Sequence, residues 1–484
     1  SRWLRPSCCR PRRPQLSALP PALPAALKST LRVSAMARAV AAALTAATAL
    51  AAASASGDCS RRFPEPDYPS FGAFLSRFGL AYSGDERKAR EATYQQTLRA
   101  IKAHNAQPSK SSYLTVNRFA VMSATEMSAM FGLAHPPGGR SRGPVAMRQG
   151  SRALNGTEEP PVSLDWRDHR PIVVTAVKEQ SKPIEERECG SCWAFAAIAA
   201  LESRIAIKTG VLFALSPQQL VSCAPNPNAC GGTGGCDGST AELAYDYLKG
   251  VGITTEWAYP WISGLNSLTN ECQPHQITPK VASISGHVNV EPNAAAPLLQ
   301  ALLSGPVAVS VAASMWGLYG GGVFTQDECD YMINHAVVLM GYGEDCGKGY
   351  WNLRNSWGAT WGEVGYIRLE RAAVPAEEKC GWDTNPTAGN ACAKPADNAT
   401  TPEKVWVCGS CGVLAYPTYP VGMKLGEPLL PSDPAIGEAA AAPQLGQVEA
   451  HDFAGGLPEG AGGTAFFQTR GRRVVGAPRA GLEL

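Results

Sequence analysis

Net charge is nearly absent from this chain. Against 43 lysines and arginines stand 41 aspartates and glutamates, leaving +2 over 484 residues, and so small a surplus does not advertise a nucleic-acid surface. Charged residues are sparse at 17%, whereas hydrophobic ones reach 45%. That balance supports a packed core and excludes a chain disordered throughout. Long apolar runs are missing too: apart from one Ala-rich stretch near the N-terminus, no segment could cross a bilayer. No internal repeat is visible, and the Gly-rich stretch Gly231–Gly238 lacks the GxGxxG spacing of a phosphate loop. Residues 426–484 contain no Cys, Trp or Tyr, and Gly, Ala and Pro fill nearly half of them. Such a segment cannot bury enough apolar surface to offset its chain entropy, so it reads as a disordered tail or as readthrough past the natural stop.

Cysteine and tryptophan, by contrast, are plentiful, with fifteen and eleven copies. The cysteines cluster between Cys189 and Cys411, which suggests disulfides or metal and points away from a reducing cytosol. The N-terminus agrees. Residues 1–35 are Pro/Arg-rich without periodicity, and the first methionine, Met36, precedes Arg38 and an apolar run from Ala39 to Ala53. With Ala53-Ser54-Ala55 as an A-x-A cleavage site, 36–55 reads as a secretory signal and 1–35 as translated leader. The competing reading is an Ala-rich helix of the mature protein. The length allows about three domains or one large enzyme with extras. Pro/Gly/Arg-rich residues 135–160 form a linker, so 56–159 is a smaller unit with its linker and 160–425 a larger one.

In the smaller unit Glu86, Arg90, Tyr94, Thr97, Ile101 and Asn105 recur at steps of three and four, which puts all six on one helix face. The run Tyr113–Phe119 alternates like a short strand. In the larger unit the strongest local signal is Cys189-Gly-Ser-Cys192-Trp193-Ala-Phe195, which opens an apolar, Ala-rich helix ending at Gly210. A cysteine at a helix N-terminus meets the positive end of the macrodipole and free N–H groups, both of which favour thiolate. A Cys-x-x-Cys pair could instead be a redox pair or half a zinc site, but a second pair or a thioredoxin-like context is not beside it. A nucleophilic cysteine needs a base, and the base an orienting group. His335 stands at the entry of the apolar run Ala336–Met340, and Asn355, followed by Trp357, comes twenty residues later. Asn355 can accept from the imidazole while the indole shields that bond from water.

Taken together, Asp165-Trp166, CGSCWAF, NHAVVLMGYG, RNSWG, WGEVGYIRL and YPTYPV resemble papain-like cysteine proteases, in order and from about residue 71 to 425. The six helix positions resemble the ERFNIN helix of that family's propeptides, with Tyr94 for Phe and Thr97 for Asn. The GNFD pattern survives only as Asn117 and Phe119, with Val121 where the titratable Asp would stand. The resemblance implies an α+β, papain-like two-lobe fold: a helical left lobe, a β-barrel-like right lobe, and a helical inhibitory propeptide cut near Pro160. It makes Cys192 the nucleophile, His335 the general base and acid, Asn355 the orienting group and Trp357 the shield. Gln180 and the Cys192 N–H form the oxyanion hole. Gly238 and Ser239 would bind the substrate backbone as an added strand. Local signals agree: Ser216 and Ser239 start helices as capping boxes with Gln219 and Glu242, and the strand-like runs Val307–Ala312, Ala336–Met340 and Tyr366–Leu369 come later.

By the same resemblance the bridges are Cys189–Cys236, Cys223–Cys272 and Cys329–Cys411. Cys230, Cys346, Cys380, Cys392 and Cys408 remain; three of these lie in an insertion at 372–410, where Cys380…Cys392 looks like a self-stapled loop. A zinc knot of Cys380, Cys392, Cys408 and Cys411 would break the Cys329 bridge. Asn155 and Asn398 head glycosylation triplets. The far end of the pocket for the side chain two residues before the scissile bond, the second subsite, falls to Tyr416, with Ser310 and Ala336 as its sides; a phenol there favours Val or Leu over Phe and Arg. An insertion at Ser181–Glu188 after Gln180, bearing Lys182, Glu185 and Glu186, sits where the cathepsin X type has a shorter one. The expected activity is therefore that of a cysteine endopeptidase made as a zymogen, with a cathepsin X-type carboxypeptidase and a silent peptide-binding scaffold as alternatives. Its partners are peptide and protein substrates and its own propeptide, with no nucleic acid, no membrane after signal removal, no cofactor and no metal. It is expected to be a monomer of the secretory pathway, in a lysosome or vacuole or outside the cell.

Overall fold

Fifteen of the eighteen residues of the helix Cys192–Thr209 are buried, and a helix apolar on every side belongs between two layers rather than on a surface. Its many alanines let neighbours approach closely. It closes where expected, with Gly210 at φ 78° donating its N–H to the Ala206 carbonyl at 2.9 Å. The computed structural model describes residues 63–64, 67–108, 110–131, 160–181, 188–374, 377–395 and 399–426. The expected signal, leader and tail, the linker with Asn155, residues 182–187 and Asn398 lie outside them.

On one side of this helix pack Pro217–Cys223 and Ala241–Val251, whose Leu220, Tyr245 and Leu248 share a core with Trp193, Ile198 and Leu201. On the other side runs a mixed sheet in the order Ser112–Leu114, Tyr319–Phe324, Tyr366–Glu370, Lys348–Arg354, His335–Asp345, Val307–Val311, Thr418–Val421 and Gly286–Asn289. Leu164–Asp165 pairs beside His335–Asp345. Within the strand-rich, barrel-like half this sheet does not close, ending in Ser112–Leu114 at one edge and Gly286–Asn289 at the other. The helix Ala295–Leu303 also falls within the strand-rich half, packing Leu298, Ala301 and Leu302 under Trp316, Trp351 and Trp361.

Two local expectations shift. Ser216 accepts from the Gln219 N–H at 3.0 Å behind Pro217, but the Gln219 side chain binds Gly252 and Thr254 instead of completing a capping box. The next helix is capped by Thr240 through the Leu243 N–H at 3.3 Å, not by Ser239. One residue earlier, Ser239 is left to face the cleft.

The six-residue face of the N-terminal arm lies on the helix Gly84–Asn105. Tyr94 and Ile101 are buried in the arm's own core with Phe71 and Phe74. Asn105 exchanges two hydrogen bonds with the Leu114 backbone, at 2.8 and 2.9 Å. The expected strand is shorter than its alternation: after Ser112–Leu114 the chain turns into a 3₁₀ segment, Arg118–Val121, capped by the Asn117 side chain.

The lobes are tied through the central helix by buried ions. Arg204 donates to the carbonyls of Ala301, Gly305 and Pro306 at 3.1, 2.8 and 2.7 Å and lies 4.0 Å over the Tyr419 ring. Glu202 accepts from Thr175, Lys178 and the Leu215 N–H at 2.6, 2.9 and 2.8 Å. Removing one partner of such a set leaves several buried polar groups unsatisfied. Arg204→Ala should therefore lower unfolding stability by about 3 kcal/mol or more. Urea denaturation of the purified precursor checks this, and a change within experimental scatter would show that the guanidinium is not holding the lobes.

Candidate active site

The helix Cys192–Thr209 and the strand His335–Asp345 bring their first residues into one cleft. Ser191 precedes the helix without a side-chain cap, so the first N–H groups remain turned toward the Cys192 sulfur. The backbone N–H groups of Ala336, Trp193 and Cys192 itself all lie toward that sulfur. Cys192 is the free thiol among the described cysteines, and it is buried.

His335 is fixed by its neighbours. Nε2 lies 2.8 Å from Asn355 Oδ1. The same Oδ1 accepts the Ser356 N–H at 2.8 Å, which identifies it as the amide oxygen, and an oxygen can only accept from the ring. Nε2 therefore carries the proton, and Nδ1, buried without a hydrogen-bond partner, keeps its lone pair. Trp357 covers the pair, its ring centroid 5.0 Å from that of His335 and its surface fully enclosed.

Gln180 completes the cleft from the other lobe. Ser356 Oγ donates to its Oε1 at 2.7 Å, orienting the amide so that Nε2 donates into the site. That Nε2 binds the Cys189 carbonyl at 3.0 Å and the Met130 carbonyl at 2.9 Å. Met130 belongs to the arm, so an arm carbonyl occupies this donor. Next to it Phe131 lines the cleft with Cys192, its ring 5.6 Å from His335 and 6.0 Å from Trp357. Sequence patterns gave no warning of Met130 and Phe131, which fall past the helix whose periodicity marks the arm.

The arm is held by further contacts. Its strand Ser112–Leu114 pairs antiparallel with Tyr319–Phe324. Asn117 donates to the Gly317 carbonyl at 2.7 Å, Phe119 stacks edge-on against Trp357 at 5.5 Å, and Arg118 pairs with Glu179 beside Gln180. Glu328 takes the Lys110 ammonium at 3.2 Å and the Ser112 hydroxyl at 3.0 Å, with His104 at 3.4 Å.

The substrate-side residues divide. Gly238, Ser239, Ser310 and Ala336 line the cleft. Tyr416 does not. It packs instead against the cluster of Ile333, Val407 and Ala415, and Asn390 of the insertion stands beside Ser310 in the cleft. The self-stapled loop is corrected too: Cys380 bonds Cys408 across the hairpin formed by Cys380–Asp383 and Val405–Cys408, while Cys392 bonds Cys230 in the cleft wall. Cys189–Cys236, Cys223–Cys272 and Cys329–Cys411 are formed, and Cys346 is disulfide-bonded as well. Cys380, Cys392, Cys408 and Cys411 are all disulfide-bonded, so the zinc knot of these four is not formed.

Beneath the arm, burial pushes the Cys192 thiol up to about 11 and the His335 imidazole down to about 4. Desolvation disfavours both charged forms and outweighs the helix N–H groups and Asn355. The pair is thus thiol and neutral imidazole across the neutral range. Iodoacetamide should alkylate Cys192 at least about 100-fold more slowly in the precursor than after arm removal, because the thiolate is the reacting species. Equal rates at pH 7 would show that the arm neither covers nor neutralises the thiol.

The sequence matches the description "Papain family cysteine protease" over residues 160–390 and "Cathepsin propeptide inhibitor domain" over residues 71–127. It is 35% identical to the KDEL-tailed cysteine endopeptidase of Arabidopsis thaliana, covering 64% of this chain and 82% of that protein. Identity to the oryzain beta chain of Oryza sativa subsp. japonica is 37%, over 62% of this chain and 60% of that one. The chain thus spans about three fifths of the length of oryzain beta and of a second rice cysteine protease, of which it covers 58%. Among solved structures, the proform of a ragweed pollen cysteine protease aligns with TM-score 0.55 at 31% identity, over 72% of this chain and 91% of that one. A stem bromelain precursor aligns with TM-score 0.54 at 29% identity, over 72% and 97%. Motifs, lobes, occupied cleft and relatives agree, and the chain belongs to the papain family of cysteine proteases, with a cathepsin-type propeptide inhibitor domain ahead of the protease domain.

Proposed function

We propose that this chain is the zymogen of a thiol-dependent endopeptidase. The observation that carries the reading is the meeting of Cys192, at the start of a buried helix, with a His335 ring whose tautomer Asn355 fixes. Once the cleft is open, Cys192 gives its proton to His335 Nδ1 and its sulfur attacks the peptide carbonyl carbon. The carbonyl oxygen takes the negative charge and is held by Gln180 Nε2 and the Cys192 N–H, where Met130 now sits. His335 passes the proton to the departing amine, leaving an acyl-enzyme. Water, deprotonated by the same nitrogen, then releases the acid and restores the thiol. Trp357 keeps bulk water from the His335–Asn355 bond.

In this reading 160–425 is the peptidase and 56–159 the inhibitory arm with its linker, removed near Pro160. The enzyme works as a monomer, in a vacuole or lysosome or outside the cell, free of membranes once its signal is removed, with glycans at Asn155 and Asn398. Endopeptidase is preferred to the cathepsin X-type carboxypeptidase because Glu188, at the edge of the 181–188 insertion, is buried near Glu179 and would repel a terminal carboxylate. The relatives carrying endopeptidase in their names point the same way. The silent scaffold is disfavoured by the presence of every group the chemistry needs.

Cys192→Ser and His335→Ala should each cost several orders of magnitude in kcat, and Asn355→Ala less, since nucleophile and base act as a unit and the orienting group is partly replaceable. Near-normal turnover by pure Cys192→Ser removes the assignment. Endopeptidase action is checked by comparing a blocked peptide with its free-acid counterpart, and strong preference for the free acid would reverse that choice.

Arm release should follow acidification although the GNFD aspartate is missing. Burial alone would raise Glu328, but the Thr325 N–H and hydroxyl, the Ser112 hydroxyl and Lys110 outweigh it and hold the carboxyl below its ordinary range. The Thr325 bonds persist without the arm, so docking gains only the share due to the Ser112 hydroxyl and Lys110, and that share is lost as falling pH protonates the carboxylate. Burial also holds His104 below its ordinary value against the pull of Glu328. Protonating this base is easier undocked, so its effect runs the same way. Glu328→Gln should loosen the arm at neutral pH and flatten the acid dependence of activation. An unchanged activation profile would place the trigger elsewhere.

A further inference from the structure

The insertion 372–410 does more than decorate the surface. Its hairpin is closed by Cys380–Cys408. From there the chain runs through a 3₁₀ turn, Pro386–Ala388, into the cleft. Residues 391–394 are then sewn to the wall opposite by three backbone hydrogen bonds. Gly231 donates to Ala391 at 3.1 Å, Ala393 to Ala229 at 2.9 Å and Lys394 to Asn228 at 2.9 Å. The Cys230–Cys392 bridge locks the same contact. The two backbones come so near that a Cβ on Gly231 would lie 2.3 Å from the Gly389 carbonyl oxygen.

This anchoring sets Asn390 between two residues of the peptidase core. Its Oδ1 accepts the Ser310 hydroxyl at 2.6 Å, and its Nδ2 donates to both oxygens of Glu242 at 3.2 and 3.3 Å. Ser310, Ala336 and Ala241 surround it in the cleft. Glu242 itself is absent from the cleft lining, whereas Asn390, which is bonded to its carboxylate, belongs to that lining.

We infer that Asn390 is a specificity-determining residue which closes the second subsite and conceals the Glu242 carboxylate behind it. The inference rests on the peptidase reading above. The occupants selected are peptides with a short, uncharged side chain, such as Val, Thr or Ala, two residues before the scissile bond. A longer side chain meets the amide, whose Ser310 and Glu242 bonds must break before it can yield. A cationic side chain cannot reach the carboxylate that would attract it.

Full-length chain, activated by acid and normalised by titration with a thiol-directed epoxide, is assayed on peptides differing only at that position: Val, Phe and Arg. Wild type should prefer Val. Asn390→Gly should raise kcat/KM for Phe relative to Val by about 10- to 100-fold, the worth of one or two misfitted groups in a pocket, and should raise Arg as well. Adding Glu242→Gln should abolish the Arg gain and keep the Phe gain, which a merely loosened cleft would not do. Should Asn390→Gly give no titratable thiol, Asn390→Ser shortens the same side chain and is read by the same ratios. Unchanged Val:Phe:Arg ratios in a titratable variant overturn the inference alone. A wild type that neither labels nor cleaves overturns the peptidase reading and takes this inference with it.

Discussion

Cys192 and His335 come from different lobes, so everything the cleft can do depends on how firmly the lobes are registered. The structure answers with one continuous path. Arg204 lies on the helix that Cys192 begins, and its guanidinium grips the carbonyls of Gly305 and Pro306. The next residue opens the strand Val307–Val311, whose far end, Val311, sits opposite His335. Burying a cation costs solvation, and burial lowers this guanidinium to about 10. An apolar contact of equal area could match its stability while tolerating a slide of the helix along the sheet. Directional bonds to three carbonyls do not tolerate it. The Ser310 hydroxyl that holds Asn390 lies on the same strand, so the path that positions the base also positions the wall of the cleft.

The arm inhibits in two physically distinct ways. Phe131 and Met130 fill space and occupy the Gln180 donor, which is steric blockade. By excluding water they also penalise both charged forms of the Cys192–His335 pair, so the covered site is chemically quiet as well as inaccessible. Holding the arm down does not require the missing aspartate. Val121, in its place, is buried in the arm's own core, and Arg90 turns instead to the Val121 carbonyl at 3.2 Å and the Glu126 carboxylate at 2.7 Å. Glu126 is in turn fixed by the capping box with Ser123. The helix face is kept, and its charge partner has moved five residues along the chain.

The fold and the reacting groups were legible because they depend on local pattern: a buried Ala-rich helix ending in glycine, a histidine at a strand entry, an asparagine ahead of tryptophan. The helix Gly84–Asn105 was legible from the spacing of six residues. What escaped were contacts between segments far apart in sequence. Tyr416 was placed by gap-free alignment from Cys411, but alignment carries no information about an inserted loop that takes the space first. Ser239 was read as a cap because Glu242 follows it by three residues, whereas Thr240, which caps the helix, has Leu243 at that distance and no capping-box pattern to mark it. The barrel-like lobe was implied by the family resemblance alone, and no local pattern shows that its sheet is left open between an edge carried by the arm and an edge carried by Gly286–Asn289.

The cysteines left over after the family bridges held the missing information. Cys230 sits in the Gly-rich wall and Cys392 in the insertion, so a bond between them means that the insertion touches the cleft. Pairing Cys380 with Cys392 instead would have made the insertion a self-contained surface loop. Physical chemistry favours the observed choice. A hairpin whose Trp382 and Trp406 meet edge-to-face at 4.9 Å yet stay about half exposed has little core of its own, and a two-stranded hairpin without a core is marginal in water. Such an element gains order only by being fastened to something rigid. The wall around Cys230 is rigid because its glycines already adopt backbone conformations few other residues reach, with Gly231 at φ 59°, Gly232 at φ 118° and Gly238 at φ 86°. The loop therefore borrows its order from the glycine-rich wall of the cleft, and Asn390 acquires a fixed position in the cleft as a direct consequence.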